Sequence, residues 1–203
     1  MTMPVPAQPA LFIDRDGTLI ADAHYLAESS RVQLLAGAAQ AVAMANAAQI
    51  PVVVITNQSG IARGLITTAQ YEDVRDRTNT LLRASGGTVL ATYHCPHWGH
   101  PKEPCACRKP ALGMYRQASA EHALDLARSA YIGDRWRDVQ PAIATGGIGI
   151  LVPGIETPAA DVEAARSALS GRLHMVENIR QAVTLALSMI GMSGPLLPGV
   201  PAQ

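Results

Sequence analysis

The chain has 203 residues, of which 48% are hydrophobic and 16% are charged, and its 16 basic and 16 acidic residues cancel. This length and composition fit one globular domain with a substantial core. Zero net charge provides no overall field for nucleic acid or an anionic membrane, which argues against a DNA-coating protein. No apolar run approaches the roughly 20 residues that span a bilayer. Residues 1–9 lack the basic region of a signal peptide and are predicted to be a flexible tail.

The first predicted element is an apolar strand at residues 10–13, which ends in two carboxylates, Asp14 and Asp16, and a Gly-Thr pair. Alternation along the strand would direct both carboxylates the same way, and two such charges at one point need a cation between them. A hard divalent ion such as Mg²⁺ prefers these oxygen ligands. One carboxylate would then serve as a nucleophile and the other as a proton donor. The alternative interpretation is an ordinary Asp-Gly turn.

Strands and helices alternate along the rest of the chain. Residues 22–31 are polar and irregular and are predicted to be a loop over the site. An uninterrupted apolar strand such as 51–55 is typical of a parallel sheet buried on both faces. We therefore predict an α/β fold with a doubly wound, Rossmann-like parallel sheet and helices on both faces, in one domain at residues 10–190 followed by a disordered tail at 191–203. The other predicted strands are residues 88–94, 130–132 and 148–152, and the predicted helices are residues 37–49, 67–85 (with Thr67 and Gln70 as a capping box), 112–122, a helix ending at 145, and 177–189.

Polar residues follow the second strand at Thr56 and Asn57. A hydroxyl and the backbone N–H groups of the Ser/Gly loop after it suit the oxygens of a phosphate. The alternative is a cap between strand and loop. Arg63, shortly afterwards, is interpreted as a solvated surface arginine rather than a ligand contact. Trp98 and Trp136 are interpreted as packing residues rather than stacking platforms.

All three cysteines lie in the segment 95–107, beside histidines. An odd number of clustered cysteines indicates a reduced compartment and a metal rather than a disulfide framework, so a cytoplasmic location is predicted. Three thiolates and one imidazole fit tetrahedral Zn²⁺ with no open position, which favours a structural zinc. The alternative is buried free thiols with surface histidines. The predicted ligands are Cys95, His97, Cys105 and Cys107, with His94 and His100 as alternatives to His97.

Two further groups carry charges that suit phosphate chemistry. Arg108 and Lys109 directly follow the last cysteine, where a closed zinc loop would hold both cations rigidly for a phosphoryl group. Asp134 follows the strand at 130–132 and can reach the same ion as Asp14, while Asp138 lies one helical turn further on and can orient the ligands. A helix cap is the competing interpretation of these aspartates.

Together these segments resemble the haloacid dehalogenase superfamily of phosphatases over residues 11–149. The shared motifs are Asp-x-Asp-Gly-Thr at residues 14–18, a Thr-ended second strand, a lysine, and Gly-Asp-x-x-x-Asp at residues 133–138. Within the superfamily, the Thr-Asn-Gln-Ser-Gly-Ile-Ala-Arg-Gly run at 56–64 and the zinc loop ending Cys-Arg-Lys-Pro are similar to those of the heptose-bisphosphate phosphatases. Histidinol-phosphate phosphatases share the zinc loop but typically read Asn-Gln-Asp-Gly after the threonine.

The resemblance implies Mg²⁺-dependent hydrolysis of a heptose bisphosphate in the synthesis of nucleotide-activated heptose. It implies that Asp14 attacks phosphorus, that Asp16 protonates the leaving alkoxide and later activates water, and that Thr56 and Lys109 stabilise the phosphoryl group. It further implies Mg²⁺ ligation by the Asp14 carboxylate, the Asp16 backbone carbonyl and Asp134. The implied substrate-binding residues are Asp22, Ala23, His24, Tyr25, Asn57, Gln58, Ser59, Arg63, Arg108 and Arg135.

The segments between the motifs are too short for a large cap domain, so the zinc loop and residues 22–25 are expected to shape the pocket. The expected partner is a small sugar bisphosphate, with no nucleic acid and no membrane, and the expected state is a monomer. Three alternatives stay open: a histidinol-phosphate substrate with the same chemistry, a nucleic-acid 3′-phosphate, which zero net charge disfavours, and a non-catalytic zinc-bearing interaction module. Metal-dependent phosphate release from an aryl phosphate would exclude the last.

Overall fold

The computed structural model describes residues 6–98 and 105–192, in which six parallel strands form one sheet. The strands are β1 (Leu11–Ile13), β2 (Val52–Asn57), β3 (Ala91–Cys95), β4 (Ala130–Gly133), β5 (Ile148–Leu151) and β6 (Leu173–Met175). They lie in the order β3-β2-β1-β4-β5-β6. The direction of chain progression reverses between β1 and β4, and doubly wound sheets bind ligands at the carboxyl ends of the strands at such a point.

Helices pack on both faces of the sheet, which confirms the predicted doubly wound fold. Leu11 and Ile13 of β1 belong to a core cluster with the first, second and last helices, whereas Phe12 faces the opposite cluster with the third. This alternation follows from the two-residue period of a strand. The helices are α1 (Ala38–Ala47), α2 (Thr68–Ala84), α3 (Gly113–His122), α4 (Trp136–Val139), α5 (Pro141–Thr145), α6 (Ala159–Ser167) and α7 (Ile179–Met192).

Strand β1 is completely buried and aligned on both sides. Ile13 pairs with Val54 of β2 and with Ile132 of β4, and the Asp14 backbone N–H donates to the Ile132 carbonyl at 2.9 Å. The residues that follow β1, β2 and β4 therefore emerge side by side at one edge of the sheet.

Several predicted boundaries differ from the structure for local reasons. The helix ending at 145 is two helices, since Pro141 has no N–H with which to continue the first. The third strand begins only at Ala91, and Leu90 before it is half exposed. The elements α6 and β6 were missed by the sequence prediction. The capping box predicted at Thr67 and Gln70 is present at the start of α2.

The two predicted tails lie partly among the described residues. Gln8 is paired rather than free, because it forms a parallel bridge with Leu124 and its N–H donates to the Ala123 carbonyl at 3.0 Å. Helix α7 continues to Met192, and residues 1–5 and 193–203 lie outside the described residues. Across residues 6–98 and 105–192, no helix combines the length and apolarity needed to cross a membrane.

Candidate active site

Three buried carboxylates meet at the edge of the sheet where β1 and β4 end. Asp14 directly follows β1, Asp134 directly follows β4, and Asp138 lies in α4. One carboxylate oxygen from each lies within 4.8 Å of the others. The predicted convergence of Asp14 and Asp134 is therefore present in the structure, and Asp138 joins them.

Lys109 supplies the positive charge of this cluster. Its Nζ lies 2.6 Å from Asp14 Oδ1 and 2.7 Å from Asp138 Oδ1, and it donates to the Ile55 carbonyl at 2.7 Å. Burial raises the pKa of Asp14 to about 8, opposed by Lys109 and reinforced by the neighbouring aspartates. The lysine pKa is itself raised, since the two carboxylates outweigh the cost of burying its charge. One ammonium does not balance the negative charge of three ionised carboxylates, so the cluster can accept a further cation.

Asp134 has a free oxygen that suits such a cation. Its Oδ1 is buried without a hydrogen-bond partner among the described residues, while Oδ2 accepts from Arg135 Nε at 3.2 Å. Burial, and then Asp138, raise the pKa of Asp134 to about 6. Gly17 lies against this carboxylate with φ 82°, and a Cβ there would lie 2.6 Å from Asp134 Oδ2. The oxygen-only donor set fits Mg²⁺.

The carboxylate of Asp16 is not part of this cluster, contrary to the expectation that both motif carboxylates share one point. It accepts from Gln58 Nε2 at 2.7 Å and from Thr56 Oγ1 at 3.3 Å, and Arg15 Nη2 lies 3.0 Å from both of its oxygens. The strand ends before Asp16, in a turn where the Arg15 carbonyl accepts from Leu19 N at 2.9 Å, so strand alternation no longer applies.

The polar residues after β2 divide into two roles. Thr56 and Gln58 are buried and contact Asp16, and Gln58 Nε2 also donates to Thr56 Oγ1 at 2.8 Å. Asn57, expected to bind substrate, lines the cleft described below, and its side chain is hydrogen-bonded to the Lys109 backbone. Its Oδ1 accepts from Lys109 N at 3.0 Å and its Nδ2 donates to Lys109 O at 3.2 Å. Asn57 therefore ties the end of β2 to the lysine loop.

The predicted zinc ligands come together in a second cluster. Cys95 ends β3, and the sulfur and Nδ1 atoms of the four residues all lie within 4.8 Å of one another. The individual separations run from 3.0 Å, between Cys105 and Cys107, to 3.6 Å, between Cys95 and Cys105. Three thiols and one imidazole fit tetrahedral zinc in number and kind, although the sulfurs would have to move apart to reach the spacing of about 3.8 Å that Zn–S distances of about 2.3 Å require. The His94 ring instead packs against the Tyr71 ring in a tilted arrangement, with the ring centroids 4.2 Å apart, and His100 lies outside the described residues.

A cleft of about 250 Å³ opens beside Asp16. It is bounded by the loop after β1, the loop after β2 and the end of the zinc loop. Its walls are strongly cationic, which suits an anionic ligand. The lining residues are Arg15, Asp16, Asp22, His24, Tyr25, Leu26, Asn57, Gln58, Ser59, Trp98, Arg108, Arg135 and Arg137.

One wall of the cleft is an aromatic pair joined by an arginine. The Arg63 guanidinium lies 5.2 Å from the Tyr25 ring and 4.2 Å from the Trp98 ring, and it donates to the Tyr25 hydroxyl. Trp98 is 52% exposed, so its interpretation as a packing residue is wrong, whereas Trp136 packs against the core. Ala23, expected at the substrate, packs against the core as well.

Two family models match this chain. The polynucleotide kinase 3 phosphatase model matches residues 10–141, which is more than half of the chain, and the HAD-hydrolase-like model matches residues 106–182. A relative from Bordetella bronchiseptica named D-glycero-beta-D-manno-heptose-1,7-bisphosphate 7-phosphatase is 40% identical over 137 residues, or 67% of this chain and 75% of the relative. The chain belongs to the haloacid dehalogenase (HAD)-like phosphatases. It is therefore an enzyme of the phosphoric monoester hydrolase class.

Further relatives of this HAD-like phosphatase carry the same name. The protein of that name from Escherichia coli K12 is 36% identical over 152 residues, covering 71% of this chain and 78% of the relative. The crystal structure of D,D-heptose 1,7-bisphosphate phosphatase from B. bronchiseptica, complexed with magnesium and phosphate, superposes with a TM-score of 0.76 at 34% identity. That superposition covers 89% of this chain and 99% of the other.

Four cleft residues of the HAD-like phosphatase were assigned no site role from the sequence: Arg15, Leu26, Trp98 and Arg137. Arg15 lies between the two motif aspartates, and Trp98 directly follows His97, a predicted zinc ligand. Arg137 lies two residues beyond Arg135, in the short helix α4. Their position next to motif residues in the sequence was a signal that could have been used. Sequence periodicity does not show, however, which way a single charged or aromatic side chain beside a motif points.

Proposed function

We propose that this chain is a Mg²⁺-dependent phosphatase that removes the 7-phosphate of D-glycero-D-manno-heptose 1,7-bisphosphate through an aspartyl-phosphate intermediate. The observation that carries the proposal is the meeting of Asp14, Lys109 and Asp134 at one buried point beside a cationic cleft. A nucleophile, a fixed cation and a free metal-ligating oxygen are the groups that phosphoryl transfer needs.

In the first step, a carboxylate oxygen of Asp14 attacks phosphorus and the bond from phosphorus to the leaving sugar oxygen breaks. Asp16 gives its proton to that oxygen, so the sugar leaves as an alcohol. Lys109 holds the nucleophile at 2.6 Å and balances negative charge around it. The Thr56 hydroxyl donates to Asp16 Oδ2 at 3.3 Å, and to stabilise the phosphoryl group it would turn this one hydrogen toward a phosphoryl oxygen.

In the second step, water attacks the phosphorus of the aspartyl phosphate and gives a proton to Asp16, and the Asp14–phosphorus bond breaks to release inorganic phosphate. Mg²⁺ would be held by the Asp14 and Asp134 carboxylates and the Asp16 carbonyl, and it supplies charge neutralisation for the transferring phosphoryl group. Asp138 acts through others: it contacts Lys109 at 2.7 Å and accepts from Arg135 N at 3.0 Å.

The second metal in the proposal is a structural Zn²⁺ at Cys95, His97, Cys105 and Cys107. Support comes from four donors within 4.8 Å that leave no position for substrate. Lys109 is only two residues beyond the last of these ligands, so the zinc would hold the loop that delivers the lysine.

The proposed substrate rests on the named relatives and on the cleft. Relatives at 36–41% identity are named as D-glycero-beta-D-manno-heptose-1,7-bisphosphate 7-phosphatases. A bisphosphate carries a second anionic group, and Arg108, Arg135 and Arg137 in the cleft lining are suited to bind it. The product would feed nucleotide-activated heptose synthesis in the cytoplasm, and we propose that the enzyme acts as a monomer.

The test compares initial rates of phosphate release with saturating Mg²⁺ on both anomers of the heptose bisphosphate, histidinol phosphate and a 3′-phosphorylated oligonucleotide. We expect kcat/KM for a heptose anomer to exceed that for the others by about tenfold or more, and phosphorus NMR to show that the 1-phosphate remains. Asp14→Asn is expected to lose on the order of 10³-fold or more in kcat.

Faster turnover of histidinol phosphate than of either heptose bisphosphate would overturn the substrate assignment but leave the proposed phosphatase mechanism in place. Full turnover by Asp14→Asn would overturn the nucleophile assignment. No metal-dependent release from any ester, including p-nitrophenyl phosphate, would contradict the catalytic mechanism proposed here.

A further inference from the structure

Arg15 is a buried arginine whose main partner is the next residue along the chain. Its side chain is 3% exposed, whereas that of Asp16 is 24% exposed at the cleft. The Arg15 Nε and Nη2 atoms lie at 3.2 Å and 3.0 Å from the Asp16 carboxylate oxygens. Burying a guanidinium is costly unless it is paired, so this contact is a built feature of the fold rather than a chance surface contact.

The guanidinium is itself held from the other side. It lies over the Tyr71 ring, 5.3 Å from the ring centroid, and the His94 ring packs against the same ring at a centroid distance of 4.2 Å and an interplanar angle of 35°. Tyr71 is buried in α2 and His94 lies in β3. A cation over an aromatic face is attracted by the ring, and this arrangement restricts the rotation of the arginine.

Asp16 is held from a second direction by the loop after β2. Gln58 Nε2 donates to its Oδ2 at 2.7 Å and Thr56 Oγ1 donates to the same oxygen at 3.3 Å. Donors from Arg15 and from this loop together restrict the orientation of the carboxylate at the cleft. A proton donor must reach the reacting oxygen within about 2.6–3.2 Å, and an error of about 1 Å costs about 10²-fold in rate.

We propose that Arg15 is a positioning residue, which holds the Asp16 carboxylate in the orientation that protonates the leaving group. The inference rests on the proposed function, in which Asp16 is the general acid. Because Arg15 acts through Asp16, replacing Arg15 should slow phosphate release most for substrates whose leaving group needs a proton.

Two aryl esters of similar shape separate this role from a merely structural one. The phenolate leaving from phenyl phosphate is strongly basic and needs protonation, whereas p-nitrophenolate is weakly basic and leaves readily without it. Arg15→Lys keeps the positive charge but loses the second donor of the guanidinium. We expect it to lower kcat/KM for phenyl phosphate by about tenfold, and kcat/KM for p-nitrophenyl phosphate by less than about threefold.

Tyr71→Leu removes the ring beneath the guanidinium and is the second variant. It should show the same bias between the two esters, so the proposal stays testable if Arg15→Lys does not fold. Arg75→Lys is the matched control, because Arg75 also pairs with the following residue, at 2.9 Å from Asp76, but on the exposed surface of α2. We expect the control to match the wild type with both esters. Circular dichroism and zinc content confirm that each variant is folded.

Equal losses on both esters would overturn the inference and would instead make Arg15 a contact of the transferred phosphoryl group. No loss on either ester in a folded Arg15→Lys protein would overturn it as well. Failure of the proposed function looks different, because the wild-type enzyme would then release no phosphate from either ester with Mg²⁺.

Discussion

Replacing Lys109 by methionine tests the centre of the site most directly. The change keeps the length of the side chain but removes an ammonium that lies 2.6 Å from Asp14, 2.7 Å from Asp138 and 2.7 Å from the Ile55 carbonyl. Removing one partner of a buried ion pair costs about 3–5 kcal/mol, because the remaining charge is left uncompensated. Asp14, with a pKa raised to about 8 by burial, can relieve part of that cost by staying protonated.

We therefore expect the free energy of unfolding of Lys109→Met to fall by about 3 kcal/mol in Mg²⁺-free buffer at neutral pH. In saturating Mg²⁺ the loss should be smaller, since a bound cation compensates the same carboxylates. The expected loss in kcat is about 10²–10³-fold, the magnitude found when one donor to developing charge is removed. Urea unfolding followed by circular dichroism, with zinc retained, and phosphate release measure the two effects.

The control is Arg75→Met, which breaks an exposed pair with Asp76 and should cost no more than about 1 kcal/mol in either buffer. Equal stability of Lys109→Met and the wild type without Mg²⁺ would refute the buried ion-pair argument. An equal loss with and without Mg²⁺ would refute the placement of the metal at these carboxylates.

Three further outcomes are expected. Folding raises the pKa of Asp14 to about 8 and that of Asp134 to about 6, so the stability from these protons is present below about pH 4 and is lost as the pH rises through 6 to 8. Mg²⁺ must displace the same protons, so its affinity in titration calorimetry should rise over that range; a pH-independent affinity would contradict this. Cys107→Ala should lower the zinc content, melting temperature and kcat together, and full activity without zinc would count against the coupling. Thr67→Ala removes the side-chain acceptor of the Gln70 N–H and should cost about 1 kcal/mol in urea with kcat unchanged, whereas an unaltered urea midpoint would argue against the cap.

The sheet was predictable where burial leaves a strong local pattern. Strands β1, β2, β4 and β5 are apolar runs with nearly every residue buried, and such runs are typical of parallel strands. Strand β6 was missed because it has three residues at the sheet edge and only Leu173 is buried. Helix α6 buries only Ala165, so its sequence lacks an apolar stripe.

The site was predictable where a residue follows a strand. Asp14 and Asp134 end neighbouring strands, and parallel strands bring their carboxyl ends to one edge, so their meeting follows from the topology. The orientation of Asp16 does not follow, because it depends on Gln58 and on the buried Arg15, which both donate to its carboxylate. Contacts between residues about 40 positions apart leave no local periodicity in the sequence.

Lys109 shows how a site residue can be placed without a strand. It lies in a loop, and two tethers hold that loop: Asn57 hydrogen-bonds both its N–H and its carbonyl, and Cys107 belongs to the four-donor cluster two residues earlier. The first tether comes from β2 and the second involves Cys95 at the end of β3. A lysine ammonium sits on a flexible four-carbon stem, so fixing the backbone of Lys109 removes only part of its freedom. The carboxylates of Asp14 and Asp138 fix the rest, so Asp14, the proposed nucleophile, and the Lys109 ammonium position each other.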